Sequence, residues 1–516
     1  MIQAKRIKSL TEIRQPYQRL LFSKALRPGY ASAFVLCSGA EPGVMGARIR
    51  PRTVGRALAT LLGLGLLATP ASAHQFTTRF DAPVPLGLLY VGAGATVFLS
   101  AVLIARLGST PSHHRVVGTV PRRLVDALRL ISRAGFFLAF LAVLIHGLVG
   151  PRAPGQNVAT LFTWSIWLKG VALLAVIAGS PWRVFSPWRT VYDGLCRLEG
   201  TEIRWRRYPE RLGHWPAFLG FVLLVGVVEN LTRIPRLPEV TAVVVAAYGL
   251  VMLLGAFVFG REWFERADAM EAFYGFLGTV APLSVHETDG NRVSIVVRYP
   301  WQGCTAPVES RTAVAFVVAM VYTVTFDGFA QSPIYREIYF GAQETLGVGG
   351  TVSILLYGLG LAAFVGGFVA AATVVNRLLS EGRTRAETTT SRRVDSDGGA
   401  AVATPLVLAP TLLPIAAGYE FAHNFSYVLT YAGRLPTVVG GAAVDPLWWL
   451  SLPAFWGSQV LLIVGGHVIA VVTADAVVRR LAPTDRWAMV AHAPLLVSMI
   501  GYTVLSLWVV SLPVAA

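Results

Sequence analysis

The feature that most limits what this chain can fold into is a series of apolar runs, each about 20 residues long. They lie at about 84–106, 135–150, 158–180, 215–232, 241–260, 312–330, 351–375, 404–431, 456–478 and 488–512. A helix of about 20 apolar residues crosses the roughly 30 Å hydrocarbon layer of a bilayer. The runs therefore predict an all-α bundle of about ten transmembrane helices that is embedded in the lipid bilayer.

Composition and charge support a membrane location over a soluble one. Of the 516 residues, 54% are hydrophobic and only 14% are charged, too few to cover a soluble protein of this size. The net charge of +16 could indicate nucleic-acid binding. However, the basic residues lie in alternate loops and not on one surface, so we expect no nucleic-acid partner.

The distribution of arginine predicts the orientation. Arginine-rich loops follow the first, third and seventh apolar runs. Basic loops stay in the cytoplasm during membrane insertion. The sequence therefore predicts a multi-pass protein of a prokaryotic cell membrane, with both the mature amino terminus and the carboxy terminus external. The residues concerned are Arg115, Arg122, Arg123 and Arg129; Arg183, Arg189, Arg204, Arg206 and Arg207; and Arg383, Arg385, Arg392 and Arg393.

The amino terminus has the pattern of a secretion signal. Residues 45–73 combine four arginines, an apolar stretch and the small residues that end at Ala73. Residues 1–44 precede a second possible start at Met45, and cleavage after Ala73 would leave His74 as the first residue of a membrane domain spanning 74–516. The alternative is an uncleaved anchor helix, which leaves the later topology unchanged.

Several segments between the runs have their own predicted structure. The cytoplasmic loops 181–214 and 261–311 are long, and alternating residues at 293–298 indicate a hairpin in the second loop. The polar stretch 380–403 is typical of a disordered linker. Proline is expected to kink the eighth helix, and three tryptophans to form an external interfacial belt. These residues are Pro405, Pro410 and Pro414, and Trp448, Trp449 and Trp456.

Ionisable side chains inside the apolar runs are functional candidates, because a charge in the bilayer is costly unless it has a partner. At about 1.5 Å of rise per residue, one group lies within roughly 10 Å of the external boundary and a second lies deeper. The outer group is His146, Glu229 and Asp327, and the deeper group is Glu420, His423 and His467. Asp327 could also cap the end of a helix.

The deeper group could bind a divalent transition metal such as zinc, iron or copper. Glu420 and His423 are three positions apart, which places both on one face of a helix. His467 lies on the next, antiparallel helix, where Gly465 and Gly466 would allow the two backbones to approach closely. The alternative is structural: Lys169 pairs with Glu420, and the histidines bond backbone carbonyls or hydroxyl groups.

His74 would be a further metal ligand if the signal is cleaved as predicted. A free terminal amine and its own imidazole can chelate copper when a second histidine approaches. The alternative is an ordinary exposed histidine. This possibility motivates a third interpretation of the chain, as a copper-handling membrane factor.

Several short segments, spread over about 73–512, are similar to those of one family of membrane proteins. They include Ala73-His74-Gln75-Phe76, Ser186-Pro187-Trp188-Arg189-Thr190, Phe326-Asp327-Gly328, Ala422-His423-Asn424 and Gly466-His467-Val468. On these segments the chain resembles the multi-pass membrane proteins known as fenitrothion hydrolase-like. The resemblance implies hydrolysis of an organophosphorus ester, in which a bound metal would acidify water. It further implies Glu420, His423 and His467 as metal ligands, with Asp327 or Glu229 as the base.

A transporter is the main alternative to an enzyme. Lys169, Glu420 and the histidines could relay protons or bind an ion at the middle of the membrane, with a small molecule or an ion as substrate. The sequence contains no Gly-rich phosphate loop, no Gly-x-Ser-x-Gly elbow and no His-Glu-x-x-His motif. It therefore leaves both the hydrolase and the transporter open.

Overall fold

A computed structural model describes residues 85–107, 114–288, 291–389 and 404–512. Within these ranges, ten helices are long and apolar enough to cross a membrane, which confirms the predicted all-α bundle. The start-site extension, the signal sequence, His74 and residues 390–403 lie outside the described residues. The membrane helices are α1 Leu86–Leu107, α2 Arg122–Val149, α3 Val158–Ala178, α4 Glu210–Glu229, α5 Pro238–Phe259, α6 Arg311–Ala330, α7 Thr351–Thr389, α8 Thr404–Val438, α9 Leu452–Leu481 and α10 Asp485–Ser511.

The bundle has a buried centre and an apolar periphery. Helices α6 and α8 are the most enclosed, and α8 packs against α3, α6 and α9. Helices α1, α2 and α7 leave most of their apolar side chains at least partly exposed. Since an exposed apolar surface of this extent needs lipid around it, the chain is a multi-pass membrane protein.

Two of the central helices contain π-helical segments, in Leu161–Gly170 of α3 and Val222–Glu229 of α4. The wider turns of a π-helix leave some carbonyl groups poorly paired inside the helix, and such segments often occur at functional sites. Side chains outside the two π segments donate hydrogen bonds to carbonyl groups within them. The Tyr274 hydroxyl donates to the Trp167 carbonyl at 2.9 Å, and the Asn230 amide donates to the Val225 carbonyl at 2.9 Å.

Helix α8 changes its helical type at the prolines where the sequence predicted a kink. Its first turn, Thr404–Leu408, is followed by a 3-10 segment, Ala409–Leu412, before the long helical part Leu413–Val438 begins. A proline removes a backbone donor and its ring obstructs the preceding turn, which accounts for the interruption of the α-helix.

The crossing of α8 and α9 depends on two glycines. A Cβ added at Gly418 would lie 2.6 Å from the Leu462 carbonyl oxygen, and one added at Gly466 would lie 2.6 Å from the Pro414 carbonyl oxygen. The predicted close approach is therefore confirmed at Gly466. Gly465 faces open space and takes no part in it.

A small antiparallel sheet of order β1-β3-β2 joins two loops on the arginine-rich face of the bundle. Its strands are β1 His114–Pro121, β2 Leu283–Thr288 and β3 Arg292–Arg298. The pairing of β2 with β3 confirms the predicted hairpin, with Ser284 opposite Val296. The third strand, β1, comes from the α1–α2 connection and was not predicted.

The two long loops are folded against each other around Asp268. They contain the helices Trp182–Phe185, Pro187–Glu199, Arg261–Ala267 and Ala269–Gly278. The buried Asp268 carboxylate accepts hydrogen bonds from Trp182 Nε1 at 3.0 Å, Trp188 Nε1 at 2.7 Å and the Tyr248 hydroxyl at 2.8 Å. One carboxylate thus ties both loops to α5.

Two predictions outside the membrane spans need correction. Residues 380–389 are not a linker, because α7 continues through them: Gly382 packs on the Trp487 ring and the Arg385 guanidinium lies 5.6 Å from its centre. In the predicted aromatic belt, Trp448 and Trp449 are exposed, but Trp456 is buried within the bundle. A further helix, Pro333–Leu346, connects α6 to α7.

Candidate functional site

Three charged side chains meet inside the bundle. Lys169 of α3 places its Nζ 3.1 Å from Glu229 Oε1 of α4 and 3.8 Å from Glu420 Oε1 of α8. The three residues are only 2%, 2% and 0% exposed. A charge at this depth is costly unless it is paired, so each of the three depends on the other two.

The local backbone explains how the three side chains come together. Lys169 is the penultimate residue of the π segment in α3, and Glu229 is the last residue of the π segment in α4. Because a π turn contains more residues than an α turn, both side chains are rotated away from the position that a regular helix would give them. Glu420 lies on α8, about two turns beyond its 3-10 segment.

The pairing with Glu420 is the looser of the two. Lys169 donates a hydrogen bond to Glu229, whereas neither carboxyl oxygen of Glu420 accepts one from the described part of the chain. Asn424, one turn further along α8 and fully buried, donates to the Glu420 backbone carbonyl at 3.0 Å and not to its carboxyl group. Among the described residues, the Glu420 carboxyl group is therefore held by the charge of Lys169 at 3.8 Å and not by hydrogen bonds.

A second polar pair lies next to the first. His423 Nε2 is 3.5 Å from Asp327 Oδ2, which joins α8 to α6. The Gln331 amide lies 3.4 Å from Asp327 Oδ1. Asp327 is inside α6 and buried, so the predicted role as a helix cap is wrong and the predicted place in a polar cluster is correct.

The sequence divided these residues into an outer and a deeper group, and the structure does not keep that division. Glu229 was placed in the outer group, yet it contacts Lys169 and shares it with Glu420. Asp327, also placed outside, contacts His423 of the deeper group. The depths were counted along regular helices, and the π segments of α3 and α4 and the 3-10 segment of α8 change that count.

The proposed metal ligands are not gathered into a metal site. Among the residues that the structure describes, no three His, Cys, Asp or Glu side chains are arranged to hold a metal ion. Glu420 faces Lys169 and His423 faces Asp327, while His467 Nδ1 donates to the Ile463 carbonyl of its own helix at 2.9 Å. Two contacts named in the structural alternative are present, the Lys169–Glu420 pair and the bond from His467 to a backbone carbonyl, whereas His423 faces a carboxylate instead.

His146 serves the connection between α2 and α3 and not the ion pair. Its Nδ1 accepts the Val158 amide at 3.3 Å, and its carbonyl accepts the Asn157 side-chain amide at 2.7 Å. These bonds join the end of one helix to the start of the next. His146 is therefore a structural residue in the part of the chain described here.

Sequence reasoning missed a second buried charge cluster, towards the arginine-rich face. Asp475 of α9 is 3% exposed and pairs with Arg479 at 2.7 Å, while His492 of α10 lies 3.8 Å from its other oxygen. Asp475 interrupts an apolar run, which is the signal that singled out the other candidates.

The charges at the central site do not balance. Lys169 is one cation, and Glu229, Glu420 and Asp327 are three acidic groups close enough to act on it electrostatically. If all three were ionised, the site would hold excess negative charge in an apolar surrounding, which is strongly unfavourable. At least one of the carboxyl groups is therefore expected to carry a proton.

No family model, curated protein or solved structure matches the chain in the comparisons.

Proposed function

We propose that the chain is a membrane transport protein in which proton binding at the Lys169–Glu229–Glu420 site drives the movement of a small molecule or an ion. The observation that carries the proposal is that one buried ammonium lies between two buried carboxyl groups from different helices, at 3.1 and 3.8 Å. A purely structural ion pair would need only one acid. The second carboxyl group can bind and release a proton.

The chemistry of the step follows from this arrangement. When Glu420 is protonated, Lys169 is balanced by Glu229 alone. When Glu420 releases its proton, the new carboxylate attracts the same ammonium, and the contact between α3 and α8 tightens while that between α3 and α4 weakens. Proton binding therefore changes which two helices the lysine holds together, and a two-state change of this kind is what coupled transport requires.

A rapid pH step on proteoliposomes adsorbed to a solid-supported membrane tests the proposal without knowledge of the solute. Protons that enter a buried site displace charge across the membrane even when nothing else moves. We expect a transient current in the wild-type protein and a current at least tenfold smaller in Glu420→Gln, because glutamine keeps the shape of the side chain and cannot bind the proton.

The matched control is Glu239→Gln. Glu239 is half-exposed at the start of α5, where it pairs with Arg152 at 3.0 Å. Its substitution should leave the current unchanged. Equal currents in the two variants, or no current in the wild-type protein that exceeds that of empty liposomes, would contradict the proposal.

Organophosphorus hydrolysis stays a prediction of the family resemblance. The ligand set that it implies, Glu420, His423 and His467, is not assembled, so we derive no hydrolytic step through it. The direct test is an assay of the purified protein with a chromogenic phosphotriester and added zinc, iron or copper. Turnover that His423→Ala and His467→Ala both abolish would favour the hydrolase over the transporter.

We also propose that the protein lies in the cell membrane with its arginine-rich face in the cytoplasm. That face contains the three-stranded sheet and the two loops that Asp268 joins. Support comes from the distribution of arginine between alternate loops. On this orientation, the end of α10 and the α8–α9 connection are external.

A further inference from the structure

One face of the three-stranded sheet is apolar and open. The pairing of β2 with β3 sets Leu283 opposite Val297 and Val285 opposite Ile295, so these four side chains share a face. Val285 is 54% exposed and Val297 is 36% exposed. Exposed apolar side chains that lie together in this way indicate a surface that a partner covers.

The opposite face of the central strand is packed against protein. Ser294 and Val296 of β3 alternate with Ile295 and Val297, and each is 7% exposed. Successive side chains of a strand point to opposite faces of the sheet. The sheet therefore rests on the rest of the protein with one face and presents its apolar face outwards.

Two arginines beside this sheet have no acidic partner. Arg115 of β1 lies opposite Val297, on the open face, and Arg123 is the second residue of α2. Both are exposed, and neither forms an ion pair with a described residue. The sheet and the start of α2 thus present two cationic groups with no acid to balance them.

The other arginines of the sheet and of the first turns of α2 are already bonded. Arg122 pairs with Asp126 and Glu287, Arg129 pairs with Asp126, Arg292 donates to Thr119, and Arg298 donates to the carbonyls of Ala281 and Thr279.

The start of α2 lies at the level of the lipid headgroups. The helix has 28 residues, which is about 42 Å of length for a hydrocarbon layer of roughly 30 Å. Its Asp and Arg residues all lie between Arg122 and Arg133, so the extra length is at the end that meets the sheet. Leu124 and Leu128, between these charges, are 51% and 54% exposed. Because β1 runs directly into α2, the sheet lies next to the headgroup layer.

From these observations we infer that the open face of the sheet lies on the bilayer and binds an anionic phospholipid, whose phosphate Arg115 and Arg123 contact. Guanidinium groups bind phosphate oxygens in pairs of hydrogen bonds. The valines of the open face enter the boundary between headgroups and acyl chains, as the apolar side of an interfacial segment does.

Other occupants satisfy only half of this surface. A soluble anion would neutralise the arginines and leave the valines in water. A second copy of the chain would cover the valines and bring arginines of like charge together. A phospholipid supplies both the acyl chain and the negative charge.

The inference goes beyond the proposed transport step and does not depend on it. The full-length protein, with the fluorophore NBD attached at Val285→Cys, is placed in phosphatidylcholine nanodiscs. The background is Cys37→Ser, because Cys196 and Cys304 are buried and will not take up the label. Trace amounts of phosphatidylglycerol or phosphatidylcholine carrying a doxyl quencher near the headgroup are then added in parallel.

The ratio of the two quenching efficiencies measures how strongly the anionic lipid is enriched beside the sheet. We expect an enrichment of about tenfold, since each basic residue near an anionic surface contributes about a factor of five. Raising the salt concentration should reduce it, because the attraction is electrostatic. No proton moves in this measurement, so its failure would be distinct from failure of the pH-step experiment.

The adjacent residue of the same strand provides the control for the position of the label. His286 is exposed on β2 and points to the other face of the sheet from Val285. NBD attached at His286→Cys should be quenched only weakly by either lipid.

Two double variants locate the charge. Arg115→Gln with Arg123→Gln should reduce the enrichment to near unity. Arg197→Gln with Arg211→Gln removes the same charge from two exposed arginines of the loop 181–214, which form no ion pair with a described residue, and should retain it. All four arginines are exposed, so the folded structure should tolerate both double variants.

Three results would overturn the inference. The first is equal quenching by the two lipids at Val285→Cys, and the second is an equal loss of enrichment in the two arginine variants. The third is a label at Val285→Cys that neither lipid quenches. If its emission then shifted to shorter wavelength as the number of protein copies per nanodisc rose, the open face would be assigned to a second copy of the chain.

Discussion

At the residue scale, the central feature is that Lys169 is shared. A single ammonium lies 3.1 and 3.8 Å from carboxyl groups of two other helices, so removing it affects the whole contact between α3, α4 and α8. The loss is larger than the loss of one surface ion pair, because water cannot replace the missing charge.

Lys169→Met should therefore be strongly destabilising. We expect it to reduce the free energy of unfolding by about 3–5 kcal/mol, since Glu229 and Glu420 are left buried without a cation. The thermal midpoint in detergent measures this effect. The double variant Lys169→Met, Glu420→Gln should recover part of the loss. A double variant less stable than the single one would show that the two residues are not coupled in this way.

The stability of the protein should depend on pH through Asp268, which lies on the arginine-rich face. Burial raises the pKa of its carboxyl group above the usual range, although the donors from Trp182, Trp188 and Tyr248 oppose the shift. The folded protein then binds this proton more tightly than the unfolded chain does. Stability consequently falls as pH rises from the unfolded pKa of about 3.9 through the raised pKa of the folded state.

Asp268→Asn lacks this titration because asparagine does not ionise. The unfolding midpoint of the wild-type protein minus that of the variant should decrease as pH rises above about 4. Thermal unfolding in a series of buffers measures both midpoints. A difference that is constant or increases with pH would mean that Asp268 does not titrate as its burial indicates.

At the element scale, the positions of the helices could be predicted and their internal geometry could not. All ten apolar runs are helices, since the length of an apolar run is set by the thickness of the bilayer. The π segments in α3 and α4 leave no trace in apolar periodicity, because both are apolar on nearly every side. Lys169 and Glu229 were identified from the sequence, but their contact depends on these segments.

The same limit applies to the other site residues. Glu420 and Lys169 were recognised as possible partners because their predicted depths agreed. His423 and Asp327 were not, since counting residues from a helix end at a uniform rise ignores the 3-10 segment of α8. The extension of α7 over 380–389 was missed because its polar residues resemble a linker, while the contacts of Gly382 and Arg385 with Trp487 are tertiary.

The α8–α9 crossing provides a test at this scale. Gly466→Ala should lower the thermal midpoint, since the added Cβ would meet the Pro414 carbonyl oxygen and a backbone atom cannot easily move away. We expect a loss of about 1–3 kcal/mol, as for other overpacked sites. Gly465→Ala is the matched control, because a Cβ there meets open space. Equal midpoints for the two variants would show that the crossing is not as close as the structure has it.

At the scale of the whole molecule, the orientation in the membrane is open to a direct test. Reporter fusions after Ser511, in the α8–α9 connection and in the loop 261–311 should report two external positions and one cytoplasmic position, in that order. The expectation follows from the arginine-rich loops. Fusions that report all three positions on one side would contradict the ten-helix topology, and a complete exchange of the two sides would reverse the orientation.

The three-stranded sheet ties the α1–α2 connection to the segment between α5 and α6. Any movement that pulls these two connections apart must break the pairing of β1 with β3, which runs from His114 to Pro121 with one irregularity between Val116 and Gly118. The stretch of chain that leads into α2 and the stretch that leads into α6 are therefore expected to move together when the bundle rearranges.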